Sequence, residues 1–148
     1  DDSKKLKPEE RERLAALSRE RAIAYKICEE SSETIDRINI LEATRLCMKR
    51  AVEGLAVQPD VVFTDGNFRL QIDLPQQNIV RGDALSYTIG AASILAKVYR
   101  DALMCEYDKL YPQYGFAVHK GYGTKRHTDA IREYGLCEIH RRTFTKKF

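Results

Sequence analysis

Apolar and polar positions alternate along this chain with two different periods. Pro8 followed by EERERLAALSRERA reads as a helix, with proline allowed in its first turn and acids ahead of bases as the helix dipole prefers. Ala24 to Cys28 is a candidate strand. Ser32 or Thr34 can cap a second helix, in which Ile35, Ile38, Leu41, Leu46 and Val52 recur near helical spacing until Gly54 stops it. Beyond Pro59, Val61, Val62, Phe63 and Thr64 favour a pleated, buried strand that emerges at Asp65 and Gly66. The stretch FRLQIDLPQQNIVRGD is turn-rich and extended, interrupted by Pro75. From Leu85 to Leu110 the chain is alanine-rich with few breakers, which predicts one long helix packed on several sides and ending before Pro112. KGYGTKRH reads as a glycine-punctuated loop and HTDAIREYG as a short helix stopped by Gly135.

This βα alternation points to an α/β layer structure, yet only two or three strands are discernible. That is too few to give the helices a complete sheet to cover. The 148 residues, 43% of them hydrophobic, suffice for one domain with a single core. Apolar clusters such as Ile94 to Ala96 are far shorter than the roughly 20 residues of a membrane span, and the start DDSKKLK lacks a signal peptide's apolar stretch. A soluble, cytoplasmic protein without a membrane partner is expected. Cys28, Cys47, Cys105 and Cys137 form no CxxC pair and read as free thiols. Zinc would need a tighter spacing than Cys105, His119, His127 and Cys137 offer.

The net charge of +3 is modest, but its distribution is uneven. From His119 to Phe148, eight Lys or Arg face Asp129, Glu133 and Glu138, a net of +5, while residues 1–80 carry a net of −2. A basic end of this kind suits a polyanion such as nucleic acid, and it also suits a solvated surface with a basic tail.

Three acids stand beside structural transitions or in apolar surroundings: Asp65, Asp83 and Asp101, spaced 18 residues apart. On one unbroken helix Asp83 and Asp101 would share a face but lie roughly 27 Å apart. Paired magnesium ions sit about 3.5–4 Å apart, so only groups converging on one pocket can serve them. Asp83, ahead of the helix, can reach the end of the VVFT strand; Asp101 cannot unless the helix breaks around Gly90. Each acid also has a structural role open to it: an Asx turn at DGN, a helix cap at Asp83, an ion pair of Asp101 with Lys97.

Several blocks carry a resemblance to a known family. RGDALSYTIGAASILAKVYRDALM and YPQYGFAVHKGYGTKRHTDAIREYGLCEIHRRTF closely resemble bacterial ribonuclease HII, the type 2 ribonuclease H, as do DSKKL, IDRINILEATRLCM and the strand ending in TDGN. The likeness runs from Asp2 to about Phe144. It implies a ribonuclease H-like sheet flanked by helices, with a partial catalytic domain over residues 1–110 and a small helical substrate-binding extension over residues 111–148. It implies an endoribonuclease that cuts the RNA strand of RNA/DNA hybrids and nicks 5′ of a single ribonucleotide in duplex DNA, as in ribonucleotide excision repair, using Mg²⁺ or Mn²⁺. Asp65 and Asp83 match the third and fourth of four catalytic, metal-binding carboxylates. Tyr122 matches a tyrosine that packs on the sugar beside the junction, and Lys4, Asn39 and Lys120 match positions near phosphates or sugar edges. Asp101 belongs to a matched block and is expected to be structural. Hard cations suit carboxylate oxygens, and hydrolysis by two metal ions needs no nucleophilic side chain, in line with the lack of a GxSxG elbow. GYGTK likewise falls short of the P-loop pattern.

One departure stands out. The family carries a DExGRG motif, with the first two carboxylates, ahead of DSKKL, and this sequence has none. The expectation is therefore an N-terminally truncated, incomplete domain with little or no hydrolytic activity by itself and an exposed apolar sheet edge. A catalytically dead nucleic-acid-binding module and an unstable fragment are the competing readings. The intact enzyme is expected to be a monomer.

Overall fold

A computed structural model describes residues 3–148; Asp2, where the DSKKL block begins, lies outside the described residues. The chain divides into two compact units. One comprises the chain up to Glu29 with Leu41–Val98, the other Glu30–Ile40 with Tyr99–Phe148.

In the first unit, helix α1 (Pro8–Arg21) starts at its proline with Glu9 and Glu10 in the first turn and Arg19 and Arg21 in the last. Its Ala15 is fully buried and joins Ile94 and Leu95 in a core flanked by Leu6, Leu14 and Val98. The expected strand at Ala24 to Cys28 does not form; that segment is irregular. β-favouring residues need a neighbouring edge to bond to, and the strands of the described residues pair with each other.

Those strands are β1 (Val62–Asp65) and β2 (Gln76–Ile79), parallel, with Val62 opposite Gln76 and Asp65 opposite Ile79. Strand β2 begins directly after Pro75, whose carbonyl accepts from the Val62 amide at 2.9 Å. Two side chains of β2 hold the loop between the strands: Gln76 bonds the amide and the carbonyl of Leu70, and Asn78 donates to the Phe68 carbonyl. Val62 and Thr64 point inward, whereas Phe63 and Asp65 alternate to the exposed face.

The long helix expected over Leu85 to Leu110 forms from Tyr87 onward, and a short helix that was not expected precedes it. Helix α4 (Gly82–Leu85) ends at Ser86, whose extended backbone interrupts the winding while its amide still donates to the Gly82 carbonyl. The Ser86 hydroxyl then accepts from the Ile89 amide, so one serine both stops α4 and caps α5 (Tyr87–Leu110). Helix α5 continues through Gly90, whose amide donates to Ser86, and carries Asp101 within it.

The second expected helix is split, at Asn39. Helix α2 (Ser32–Ile38) is capped by Ser31, rather than Ser32 or Thr34, through the Thr34 amide. Asn39 turns to φ +73°, a region asparagine tolerates, and α3 (Ile40–Glu53) follows. Helix α2 belongs to the second unit, which holds α6 (Phe116–His119), α7 (Lys125–Tyr134) and a 3₁₀ turn (Arg142–Phe144) as well. Thr124 caps α7 and Gly135 ends it at φ +76°. Tyr114 and Phe116 are fully buried, stacked at 5.3 Å, among Met104, Ala130 and Ile131. Among the described residues no helix is long and apolar enough to cross a membrane.

Candidate active site

The strand pattern that makes β1 also delivers its last residue. Period-two alternation buries Val62 and Thr64 and leaves Asp65 on the open face at the strand's carboxyl end, where sites of parallel sheets form. Gly66 follows at φ +113°, a conformation that costs glycine little, and turns the chain away. The Asp65 carboxylate is engaged on one side only. Its Oδ1 accepts the Gly82 amide at 2.9 Å, and Oδ2 has no partner among the described residues.

Gly82 is the first residue of α4, and Asp83 is the next. This approach needs a glycine: a Cβ at Gly82 would stand 3.5 Å from the Asp65 Cα, 3.4 Å from Ile79 Cβ and 2.6 Å from Ile89 Cδ1. Pairing of Asp65 with Ile79 in the β1–β2 ladder thus places the end of one strand beside the start of the helix that follows the other. Asp83 is half-buried, and its carboxylate makes no hydrogen bond or ion pair among the described residues. Asp65 and Asp83 offer hard oxygen donors of the kind a divalent cation prefers. Among the described residues no group of three or more His, Cys, Asp or Glu is arranged to hold a metal ion.

Lys4 belongs to the same unit, exposed in a turn fixed by its neighbour Ser3, which is buried with its hydroxyl 3.0 Å from that of Ser93. The remaining expected residues lie in the second unit. Asn39 is exposed at the α2–α3 junction. Lys120 and Tyr122 share the loop between α6 and α7. Lys120 takes a left-handed backbone at φ +53° and folds its ammonium back on the Ala117 carbonyl (2.7 Å) and the Cys105 thiol (3.2 Å). Its carbonyl accepts from Arg100. Tyr122 points outward, 57% exposed. The structure therefore brings together Asp65 with Asp83, and Lys120 with Tyr122.

Three features were not legible as a group in the sequence. His119, His127 and His140 are all buried, and His127 and His140 are bonded to each other. His119 and His127 entered the sequence reading only beside cysteines, but Cys105 bonds Lys120, and Cys137 lies against His140. No fixed sequence spacing signals a hydrogen-bonded histidine pair 13 residues apart.

The family model described as Ribonuclease HII matches residues 1–147. A Ribonuclease HII of Desulfitobacterium hafniense is 53% identical over 143 residues, which cover 97% of this chain and 55% of that protein. Ribonuclease HII 1 of Methylibium petroleiphilum is also 53% identical, over 144 residues, 97% of this chain and 73% of that one. The chain thus spans about half to three quarters of the length of these curated relatives. Among solved structures, the ribonuclease H2 from Pyrococcus horikoshii OT3 shares the fold with a TM-score of 0.82 at 23% identity, over 99% of this chain and 78% of that one. The α/β architecture, the parallel strands and these matches over nearly all 148 residues agree, and this chain belongs to the ribonuclease HII family.

Proposed function

We propose that this chain supplies two of the catalytic carboxylates and the substrate-binding extension of an endoribonuclease that cuts the RNA strand of RNA/DNA hybrids and nicks 5′ of single ribonucleotides in duplex DNA. The observation that carries this reading is the junction of Asp65 and Gly82, which holds one carboxylate beside the residue preceding the other. The donor set fits Mg²⁺ or Mn²⁺: Asp65 keeps Oδ2 available and Asp83 has both oxygens available among the described residues. Bound there, such ions would acidify a water and neutralise charge on the scissile phosphate. Asp65 is kept in place by the Gly82 amide, so its orientation does not depend on the ion. Residues 1–110 form the catalytic portion in this reading, and residues 111–148 the extension. Tyr122 offers an exposed ring to a sugar, and the C-terminal basic residues hold the duplex backbone. Lys4, Asn39 and Lys120 lie near phosphates or sugar edges.

Two carboxylates are few for a pair of hard cations, so the 148 residues alone are expected to hydrolyse poorly. The test is to incubate the chain with Mg²⁺ or Mn²⁺ and a duplex carrying one ribonucleotide, with and without an added N-terminal segment bearing DExGRG. Cleavage 5′ of the ribonucleotide that appears with the segment and vanishes in Asp65→Asn supports the reading. Robust cleavage by the Asp65→Asn protein sinks it.

A further inference from the structure

The buried histidines of the second unit meet the loop that carries Tyr122, and their hydrogen bonds fix where each proton sits. His119 Nε2 lies 2.7 Å from the Tyr114 carbonyl, which can only accept, so Nε2 carries the proton. Its Nδ1 then accepts the Gly121 amide at 3.1 Å. His140 Nδ1 accepts the Cys137 amide at 2.9 Å, which leaves the proton on Nε2, aimed at His127 Nε2 3.0 Å away. His127 must accept there, so its own proton is on Nδ1 and is donated to the Tyr122 carbonyl at 2.9 Å. The chain of bonds closes with every ring neutral. A further proton on His127 or His140 would set two N–H groups against each other, or an N–H against the Cys137 amide.

We propose that His119, His127 and His140 are positioning residues for Tyr122: they hold the backbone on both sides of its ring while His127 and His140 are neutral, and a further proton on His127 or His140 breaks the bond between those two rings. The proposal rests on the reading of Tyr122 as the sugar contact. Two bonds from the loop end on His119, since the Gly121 amide meets its ring and the Tyr122 amide meets its carbonyl at 2.9 Å. The third is the Tyr122 carbonyl on His127. Three anchors on two consecutive residues leave the exposed tyrosine ring little backbone freedom. The groups facing the pair are the His119 ring stacked on His127 at 4.3 Å, the Phe116 ring, the Tyr114 ring against His140, and the Cys137 thiol 3.2 Å from His140 Nδ1. No carboxylate is bonded to either ring among the described residues, so nothing there offsets an added charge. Burial accordingly holds both imidazoles below the ordinary histidine value, with the neighbouring rings lowering them further.

The test is imidazole nitrogen NMR on the unsubstituted 148-residue chain. Near neutral pH the spectra should show His140 protonated on Nε2 and His127 on Nδ1, both uncharged. A proton on Nε2 of His127, or a charged ring there, overturns the proposal. On acidification the bond between the His127 and His140 rings should break together with the loss of the neutral His127 signal, and a bond that survives the charging of His127 overturns the proposal; the Gly121 and Tyr122 amides, bonded to His119, should exchange slowly near neutral pH, and fast exchange there overturns it too. His127→Asn keeps a donor where Nδ1 stood, and His127→Leu keeps none. The preference for a duplex with one ribonucleotide over an all-DNA duplex should fall about tenfold in His127→Leu, the order of one lost hydrogen bond, and recover in His127→Asn. Equal loss in both variants counts against positioning. Tyr122→Ala separates the two ideas: if it leaves the preference intact, the sugar contact is wrong, and the tautomer and exchange measurements alone decide whether the histidines hold the loop.

Discussion

The Gly82 amide donates to Oδ1 of Asp65 across 2.9 Å, although the two residues lie 17 apart in the chain. Either an aspartate or an asparagine oxygen can accept that bond, but only the aspartate brings a charge to a cation. Asp65→Asn should therefore melt within about 0.5 kcal/mol of the parent in urea. Asp65→Ala strands the buried Gly82 amide and should lose about 1–3 kcal/mol. Both should weaken Mn²⁺ binding about tenfold or more, measured by water proton relaxation. Equal Mn²⁺ binding by parent and Asp65→Asn would remove this carboxylate from the metal site.

The β1 strand, its terminal acid and the helix stop at Gly135 were readable because each is a local signal: alternation, an Asp-Gly turn, a glycine at a helix end. The helix break at Asn39 was not, nor was the short helix ahead of Ser86. Asn39 sits in a sequence with good helical periodicity, and its break depends on one φ angle, as the start of α5 depends on one serine side chain. Serine and asparagine occur within helices too, so their identity does not announce a boundary. The missing strand at Ala24 to Cys28 is the opposite case, a β-favouring run without a partner edge. The Asp65–Gly82 junction was half legible: Asp83 was expected to reach the strand end, but the glycine's part in allowing that approach belongs to packing.

Asp36 of α2 accepts from the Arg142 amide (2.8 Å), the Thr143 amide (2.9 Å) and the Thr143 hydroxyl (2.7 Å). These bonds, the Thr143 amide foremost, hold its carboxyl below the usual aspartate value. A depressed carboxylate stabilises the fold above its unfolded value, near 3.8, and that contribution is lost as pH falls through the folded value. Asp36→Ala should speed hydrogen exchange at Arg142 and Thr143 at neutral pH, and acid should do the same to the parent. Unchanged exchange at both amides in the alanine variant would show that the 3₁₀ turn is held by other contacts.

The eight basic side chains after His119 are not equally available. Lys125 and Arg132 share Asp129, at 2.6 Å and 3.8 Å, and Lys120 is folded onto its own loop. Lys146 and Lys147 are exposed and form no ion pair among the described residues. If about four cations reach phosphates, duplex binding should weaken roughly 100-fold between ~50 and ~200 mM salt. Lys146→Ala should lower the logarithmic salt slope by about 0.9, and Tyr122→Ala should leave the slope intact while reducing the preference for a ribonucleotide. Fluorescence anisotropy over a salt series measures both. A slope near zero would mean that the basic segment does not touch the duplex.

Stability should fall on the acid side through the buried histidine pair. His127 and His140 have folded values below the ordinary 6.5, chiefly because burial penalises the charged ring. Unfolded chains take up these protons near 6.5 and the folded protein does so only at lower pH, so between those points the unfolded state binds more protons and stability drops as pH falls. Burial also raises the Cys137 thiol and the Tyr114 hydroxyl, which gives a second loss at alkaline pH. Thermal melts should thus show a plateau near neutrality with a decline beginning just below about pH 6.5, each kcal/mol lost lowering the midpoint by about 2–4 °C. His140→Gln keeps a donor toward His127 but leaves the Cys137 amide without its acceptor, so it should cost about 1–3 kcal/mol at neutral pH and flatten the acid decline. An acid limb as steep in His140→Gln as in the parent would place the titrating group elsewhere, because removing one imidazole of the pair must remove its share of the proton uptake.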